Sequence, residues 1–218
     1  KANTRSLLGF GCGDGGCIAL LAGLGGRVAG TEMAASGSHT HSAPVNICRQ
    51  ELAGCGFGDA EFDIVTMWHS LEHLVEPLTY LKEAGRLLKK SGVILVEVPN
   101  FNSWQAMIFK NNWFHLDVPR HLYHYDKKSL ALILEKARFK IIKFSYSSFV
   151  YGLFGWIQSG LNAVCHRKNL LFDLINGKVG LAQIKARSVR ARDFILTFIL
   201  VIPVSIISLP LFILEVFF

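Results

Sequence analysis

Along the first two thirds of the chain, apolar residues come in short blocks that alternate between strand-like and helix-like spacing. Ser6–Phe10 is a compact apolar run that enters a glycine cluster, as a buried strand does. A helical stretch follows over 15–24, with Asp14 placed as its N-cap. Arg27–Thr31 reads as a second strand and 45–48 as a short third. Between them, 34–44 is rich in Ser, Gly, His and Thr, which predicts an irregular connection where an alternating fold would place a helix. Residues 62–67 (Phe-Asp-Ile-Val-Thr-Met) are suited to a buried central strand. Over 77–90, Leu78, Leu81, Leu87 and Leu88 share one helical face, and Arg86, Lys89 and Lys90 complement the dipole at its end. Ser91-Gly92 should stop that helix, and 93–98 should form another buried strand ended by Pro99. Residues 126–137 predict an Asp-capped amphipathic helix. Residues 139–146, where Lys140 and Lys143 alternate with apolar positions, predict an edge strand. The alternation implies an open, doubly wound α/β sheet whose ligands sit at the carboxyl ends of its strands.

The last quarter of the chain is different. Residues 194–214 contain no charge, and the chain as a whole is 51% hydrophobic. Pro203 and Pro210 divide this run, which predicts a bent or re-entrant apolar hairpin, either lying in one membrane leaflet or covering the substrate crevice. Just upstream stand Arg167, Lys168, Lys178, Lys185, Arg187, Arg190 and Arg192, and the formal net charge is +7. Basic residues ahead of an apolar run point to an anionic membrane face. The aromatic interleaving of a nucleic-acid surface is absent, so nucleic acid is not expected as a partner. Three regions follow: a cofactor-binding domain over 1–148, a basic helical linker over 149–193, and an apolar hairpin or membrane segment over 194–218. The five cysteines are odd in number and lack a C-x-x-C, so neither a disulfide nor structural zinc is expected, and a cytoplasmic setting at the inner membrane face fits best. Opening on Lys1 rather than Met, the chain reads as a piece of a longer protein.

The chemistry concentrates where the first strand meets its glycines. Gly11, Gly13 and Gly15 allow a tight turn and let the backbone approach a ligand, which side chains would block. Glu32, ending the second strand, is placed to accept hydrogen bonds from ribose hydroxyls. Gly11-x-Gly13-x-x-Gly16 satisfies the dinucleotide pattern, and Gly11-x-Gly13-x-Gly15 the looser pattern of enzymes that bind S-adenosylmethionine. Spacing alone leaves both open. His69-Ser70-Leu71-Glu72-His73 also matches an inverted zinc-peptidase motif, but that chemistry needs a continuous helix. The stretch instead begins at the end of a strand, so no metal is assigned.

Five ordered matches then separate the two cofactors. They are Gly11-Cys12-Gly13-Asp14-Gly15; Phe62-Asp63-Ile64-Val65 leading to His69-Ser70-Leu71-Glu72-His73-Leu74; Leu88-Lys89-Lys90-Ser91-Gly92; Val98-Pro99-Asn100; and the block from Trp113 to Tyr125. With them the chain resembles class I S-adenosylmethionine-dependent methyltransferases from about Arg5 to Tyr146. The resemblance implies a Rossmann-like methyltransferase sheet whose last strand is missing here, followed by the apolar helical appendage. It implies that Gly11, Cys12, Gly13 and Gly15 approach the methionine part of S-adenosylmethionine. Glu32 would take the ribose, Met33 would lie against the adenine, and Met67, Trp68 and His69 would line the sulfonium side. The chain departs from the family at Gly9, where an acid usually helps to hold the cofactor's ammonium group.

Methyl transfer to oxygen or nitrogen requires loss of a proton, and histidine is matched to that near neutral pH. His121 is the first candidate base, with His69 and His73 behind it. His73 and Glu72 have the alternative of capping a turn. His115, Arg120 and His124 are candidates for substrate contact, and a carboxylate-paired Arg120 is the competing reading. The acceptor would be a small molecule or a lipid-linked one. An NAD-type oxidoreductase and a membrane-tethered cofactor-binding module without turnover remain the alternatives.

Overall fold

The computed structural model describes residues 5–13, 15–23, 25–32, 45–50, 52–146, 148, 151–179 and 190–217. It divides into two compact units, one built from Lys1–Pro99 with Lys127–Ile142, the other from Asn100–Asp126 with Lys143–Phe218. The Asp14 cap, the Met33 site and the 34–44 connection fall outside the described residues.

In the first unit, five parallel strands stand in the order β3-β2-β1-β4-β5. They are β1 (Ser6–Phe10), β2 (Arg27–Thr31), β3 (Asn46–Cys48), β4 (Phe62–Trp68) and β5 (Leu88–Glu97). After β3 the chain returns to the other side of β1, so the direction of strand order reverses between β1 and β4, the usual place for a ligand crevice. Successive strand residues face opposite sides of a sheet, and β1 shows both. Helix α1 (Gly16–Gly23) lays Ile18 over Gly9 and its cross-strand partner Gly30; a Cβ on either would stand 2.6 or 2.5 Å from Ile18. On the opposite face Phe10 packs against Tyr80 of α2 (Pro77–Leu87), with ring centroids 5.3 Å apart. Helix α4 (Lys127–Lys136) packs beside α2, and the chain after it brings Phe139 to 3.6 Å from where a Gly85 Cβ would lie. Leu8, Phe62, Val65, Met67, Leu71, Leu81 and Leu87 are fully enclosed, so the doubly wound core is the one the apolar blocks predicted.

Four expectations need correction. Helix α2 stops at Leu87 rather than Lys90, because Leu88 is buried and already pairs with Phe62. Ser91-Gly92 therefore lies within β5, in the irregular stretch where pairing jumps from Phe62–Leu88 to Ile64–Val93. Second, β5 is the outer strand among the described residues and not fully buried, leaving Val93 36% and Leu95 46% exposed. Third, 139–146 is not in strand conformation among the described residues, and most of its side chains are exposed. Strand formation depends on a neighbour, which periodicity cannot supply. Fourth, Cys48 and Cys55 form a disulfide, brought within a Cα separation of 5.7 Å by the turn at Leu52–Cys55. With these two bonded, cysteine usage no longer points to a reducing compartment.

The second unit is helical. Its elements are α3 (Trp104–Phe109), α5 (Gly152–Val164), α6 (Leu170–Ile175) and α7 (Ala191–Phe217). The predicted apolar hairpin is one continuous helix, with Pro203 and Pro210 inside it. It packs along α5, and the contacts run antiparallel. A Cβ on Gly152 would run into the Phe212 ring, and one on Gly160 would meet Val204 at 2.8 Å. Near the other end Cys165 lies 3.8 Å from the Thr197 hydroxyl. Small residues on α5 thus let the two helices approach closely, and this lateral support offsets the backbone bonds that the prolines cannot make.

Candidate active site

The carboxyl ends of β1, β2, β4 and β5 converge on the glycine turn. Gly11, Gly13 and Gly15 have φ of 64°, 60° and 87°, in the left-handed region that side chains disfavour. Gly11 is also crowded: a Cβ there would lie 2.6 Å from Ser70, whose hydroxyl donates to the Phe10 carbonyl at 3.2 Å. Gly13 is the opposite case, since a Cβ would meet nothing within 4 Å. Its backbone N–H donates to Glu32 Oε2 at 2.7 Å, and the Cys12 N–H donates to the Thr31 carbonyl at 3.0 Å. The acid ending β2 is thereby brought to the turn that follows β1.

At the end of β4, Met67 is buried and Trp68 is 39% exposed. His69 then adopts φ 48° and its N–H donates to the Glu97 carbonyl at 2.9 Å. Its ring lies between two carboxylates, with Nε2 3.2 Å from Glu97 and Nδ1 3.4 Å from the enclosed Glu72. Burial works against the charged ring, but both carboxylates favour it and prevail, so the pKa rises from 6.5 to about 9. The two carboxylates thus favour the charged ring at neutral pH, which is unlike a ready proton acceptor. The 69–73 stretch is a left-handed residue and a short 3-10 turn (Leu71–His73), not the continuous helix of a zinc-peptidase motif. His73 ends that turn, its N–H donating to the Ser70 carbonyl.

Of the predicted site residues, Gly11, Cys12, Gly13, Gly15, Glu32, Met67, Trp68, His69 and His73 belong to this first unit. His115, Arg120, His121 and His124 belong to the second, gathered around one loop. His121 is nearly enclosed; its Nδ1 lies 2.7 Å from the His115 carbonyl and its Nε2 3.9 Å from Asp117. His124 Nε2 lies 2.8 Å from the Leu116 carbonyl. The His115 ring packs against Phe114, Trp113 and Tyr151. Arg120 pairs with Asp117. Sequence reasoning missed Glu97 and gave Glu72 only a capping role. An acid inside the apolar run Leu95-Val96-Glu97-Val98 was the signal that could have flagged Glu97.

A family model described as a methyltransferase domain matches residues 1–143. The chain belongs to the methyltransferase-domain family. A ubiquinone biosynthesis O-methyltransferase from Glaesserella parasuis is 27% identical over 137 residues, 56% of this chain and 58% of that protein. A probable S-adenosylmethionine-dependent methyltransferase from Mycolicibacterium smegmatis is 33% identical over 99 residues, covering 44% of this chain and 38% of the relative. The chain therefore spans little more than half the length of the curated relatives it matches, and less in some. Among solved structures, a SAM dependent methyltransferase from Archaeoglobus fulgidus superposes with a TM-score of 0.57 at 25% identity, over 67% of this chain and 66% of that one. At position 9, where the resemblance implies an acid, the chain has glycine, and the packing supplies a reason. The methyltransferase domain has filled the space beside Gly9 and Gly30 with Ile18, leaving no room for an acid at position 9.

Proposed function

We propose that the chain is an S-adenosylmethionine-dependent methyltransferase acting on an oxygen nucleophile of a small apolar acceptor. The observation that carries the cofactor is the glycine turn: three left-handed glycines, the open space before Gly13, and Glu32 drawn to the same turn. Those residues fit a nucleoside joined to an amino-acid tail. Gly11, Cys12, Gly13 and Gly15 would border the tail, Glu32 the ribose, and Met67 and Trp68 the sulfonium side, with Met33 following Glu32 as the adenine contact. The bound cofactor supplies a methyl group activated on a sulfonium, and the protein supplies alignment and exclusion of water.

At the ends of β4 and β5 two carboxylates, Glu72 and Glu97, face one imidazolium, His69. The resulting negative balance suits a cofactor with a positive ammonium and sulfonium, and offsets the acid missing at Gly9. Oxygen as the accepting atom is supported by the relatives named as ubiquinone O-methyltransferases. For the base we assign His121. A proton on Nδ1, donated to the His115 carbonyl, leaves Nε2 as the accepting nitrogen. Arg120, paired with Asp117, holds that loop together, and His115 and His124 are the substrate-contact candidates beside it.

The test is calorimetric titration with S-adenosylhomocysteine, with NAD as the control ligand. Micromolar binding, weakened roughly tenfold or more in Glu32→Ala, is expected. Preferential binding of NAD would replace the reading with an oxidoreductase. Homocysteine-product binding without turnover on any hydroxylated acceptor would leave a cofactor-binding module.

A further inference from the structure

Helix α7 reverses the usual order of surface and core. Three of its polar residues face inward. Asp193, Thr197 and Ser208 are buried, and the Asp193 carboxylate accepts the backbone N–H groups of His166 and Arg167 at 3.2 and 3.1 Å. Glu215 accepts the Trp156 indole N–H at 2.7 Å. Outward, at alternating spacings of four and three, stand Ile195, Ile199, Ile202, Ile206, Leu209 and Ile213, between 46% and 69% exposed. Polar residues normally cover such a face.

From this we infer that α7 lies side-on in an anionic phospholipid leaflet, its isoleucine face in the acyl boundary, without crossing the bilayer. Its length and composition suit lipid: within Ala191–Val216, 26 residues long, the most apolar 18-residue window has a mean hydropathy of 2.6. Crossing is opposed by what the inner face holds. Helix α5 lies along it with Gln158 and Asn162 in the interior of the unit, and the Lys168 ammonium is fixed on the Asn162 carbonyl at 2.6 Å. A spanning α7 would draw these groups into hydrocarbon, where polar side chains and charges are costly. Side-on, they stay on the aqueous side while the outer face is buried. Arg190 and Arg192, both exposed at the start of the helix, lie where phosphate headgroups would meet them. A second copy of α7 is the competing occupant. Phe198 and Ile207, 58% and 64% exposed, broaden the apolar strip beyond the narrow seam of a coiled coil, which favours lipid. This inference does not depend on the methyl-transfer reading.

The experiment is flotation of the full chain with sealed vesicles of phosphatidylcholine, alone or mixed with phosphatidylglycerol. The wild type should float with the mixed vesicles, and Ile202→Glu/Ile206→Glu should weaken this by roughly tenfold or more with helicity unchanged. Arg190→Glu/Arg192→Glu should remove the preference for the anionic lipid. The labels of Arg192→Cys and Val216→Cys, mapped by mass after an impermeant maleimide is added outside, should both appear. Reaction at only one end would show a spanning helix and overturn the side-on placement. Failure to float, or concentration-dependent dimers abolished by the glutamate pair, would overturn the lipid assignment.

Discussion

At the amino ends of its strands the sheet is tied by ion pairs, whereas at the carboxyl ends it is held open by glycine. At the amino end Asp63 accepts from the Ser6 N–H and hydroxyl and from Lys89, each at 2.8 Å. Arg27 pairs with Glu61, and Arg86 with Asp59 and Glu83. Lys89 and Ser6 together hold the Asp63 carboxyl well below the usual carboxylate range. At the carboxyl end the same strands finish in three left-handed glycines, a left-handed histidine and a space in front of Gly13. Polar groups at one end are spent on each other; at the other, backbone strain is tolerated where a ligand would approach. One edge serves stability, and the other is where we propose that the cofactor binds.

The comparison breaks most sharply at Gly11. Gly11→Ala should cost about 2–4 kcal/mol, combining left-handed strain with the clash against Ser70, and should abolish homocysteine-product binding. Gly13→Ala carries the same strain but meets open space, so a stability loss of about 1–2 kcal/mol should accompany a disproportionate loss of affinity. Denaturant titration paired with calorimetry separates the two. If Gly13→Ala binds normally, the cradle has been misplaced.

His69 gives a smaller, pH-dependent effect. A histidine whose pKa is raised on folding contributes fully below its unfolded value of 6.5 and loses that contribution as the pH rises through about 9. Wild-type stability should therefore fall by roughly 1–3 kcal/mol across that window. His69→Gln, which keeps a residue able to hydrogen-bond, should flatten the slope in unfolding curves taken at stepped pH.

Asp63→Asn should have the smallest effect, a thermal midpoint lower by roughly 1–3 °C at neutral pH, because the clasp is solvent-screened. Cofactor affinity should be unchanged. A carboxylate with a lowered pKa stabilises above its ordinary value and loses this as the pH falls below about 4, so variant and wild type should converge in acid. A loss of affinity in this variant would show that the two edges are coupled.

Much of the carboxyl edge is legible in the residues and their spacing. Glycines between a strand and a helix, with an acid ending the next strand, state a backbone requirement that few other arrangements satisfy. The alternation of apolar blocks likewise defines the order of elements, because burial imposes period on sequence. What lies beyond reach depends on partners distant in the chain. Glu97 meets His69 across 28 residues, and with Glu72 it favours the charged form of a candidate base. Residues 139–146 alternate as a strand does but are not in strand conformation among the described residues. Two prolines predict a break in α7, yet packing along α5 keeps it continuous. The sequence by itself determined which segments are apolar, where the backbone must turn tightly and which side chains can carry charge, since these are properties of residues and their spacing. Only the tertiary structure decided strand pairing, protonation and which face of a helix is left outward, since each depends on what lies across the fold.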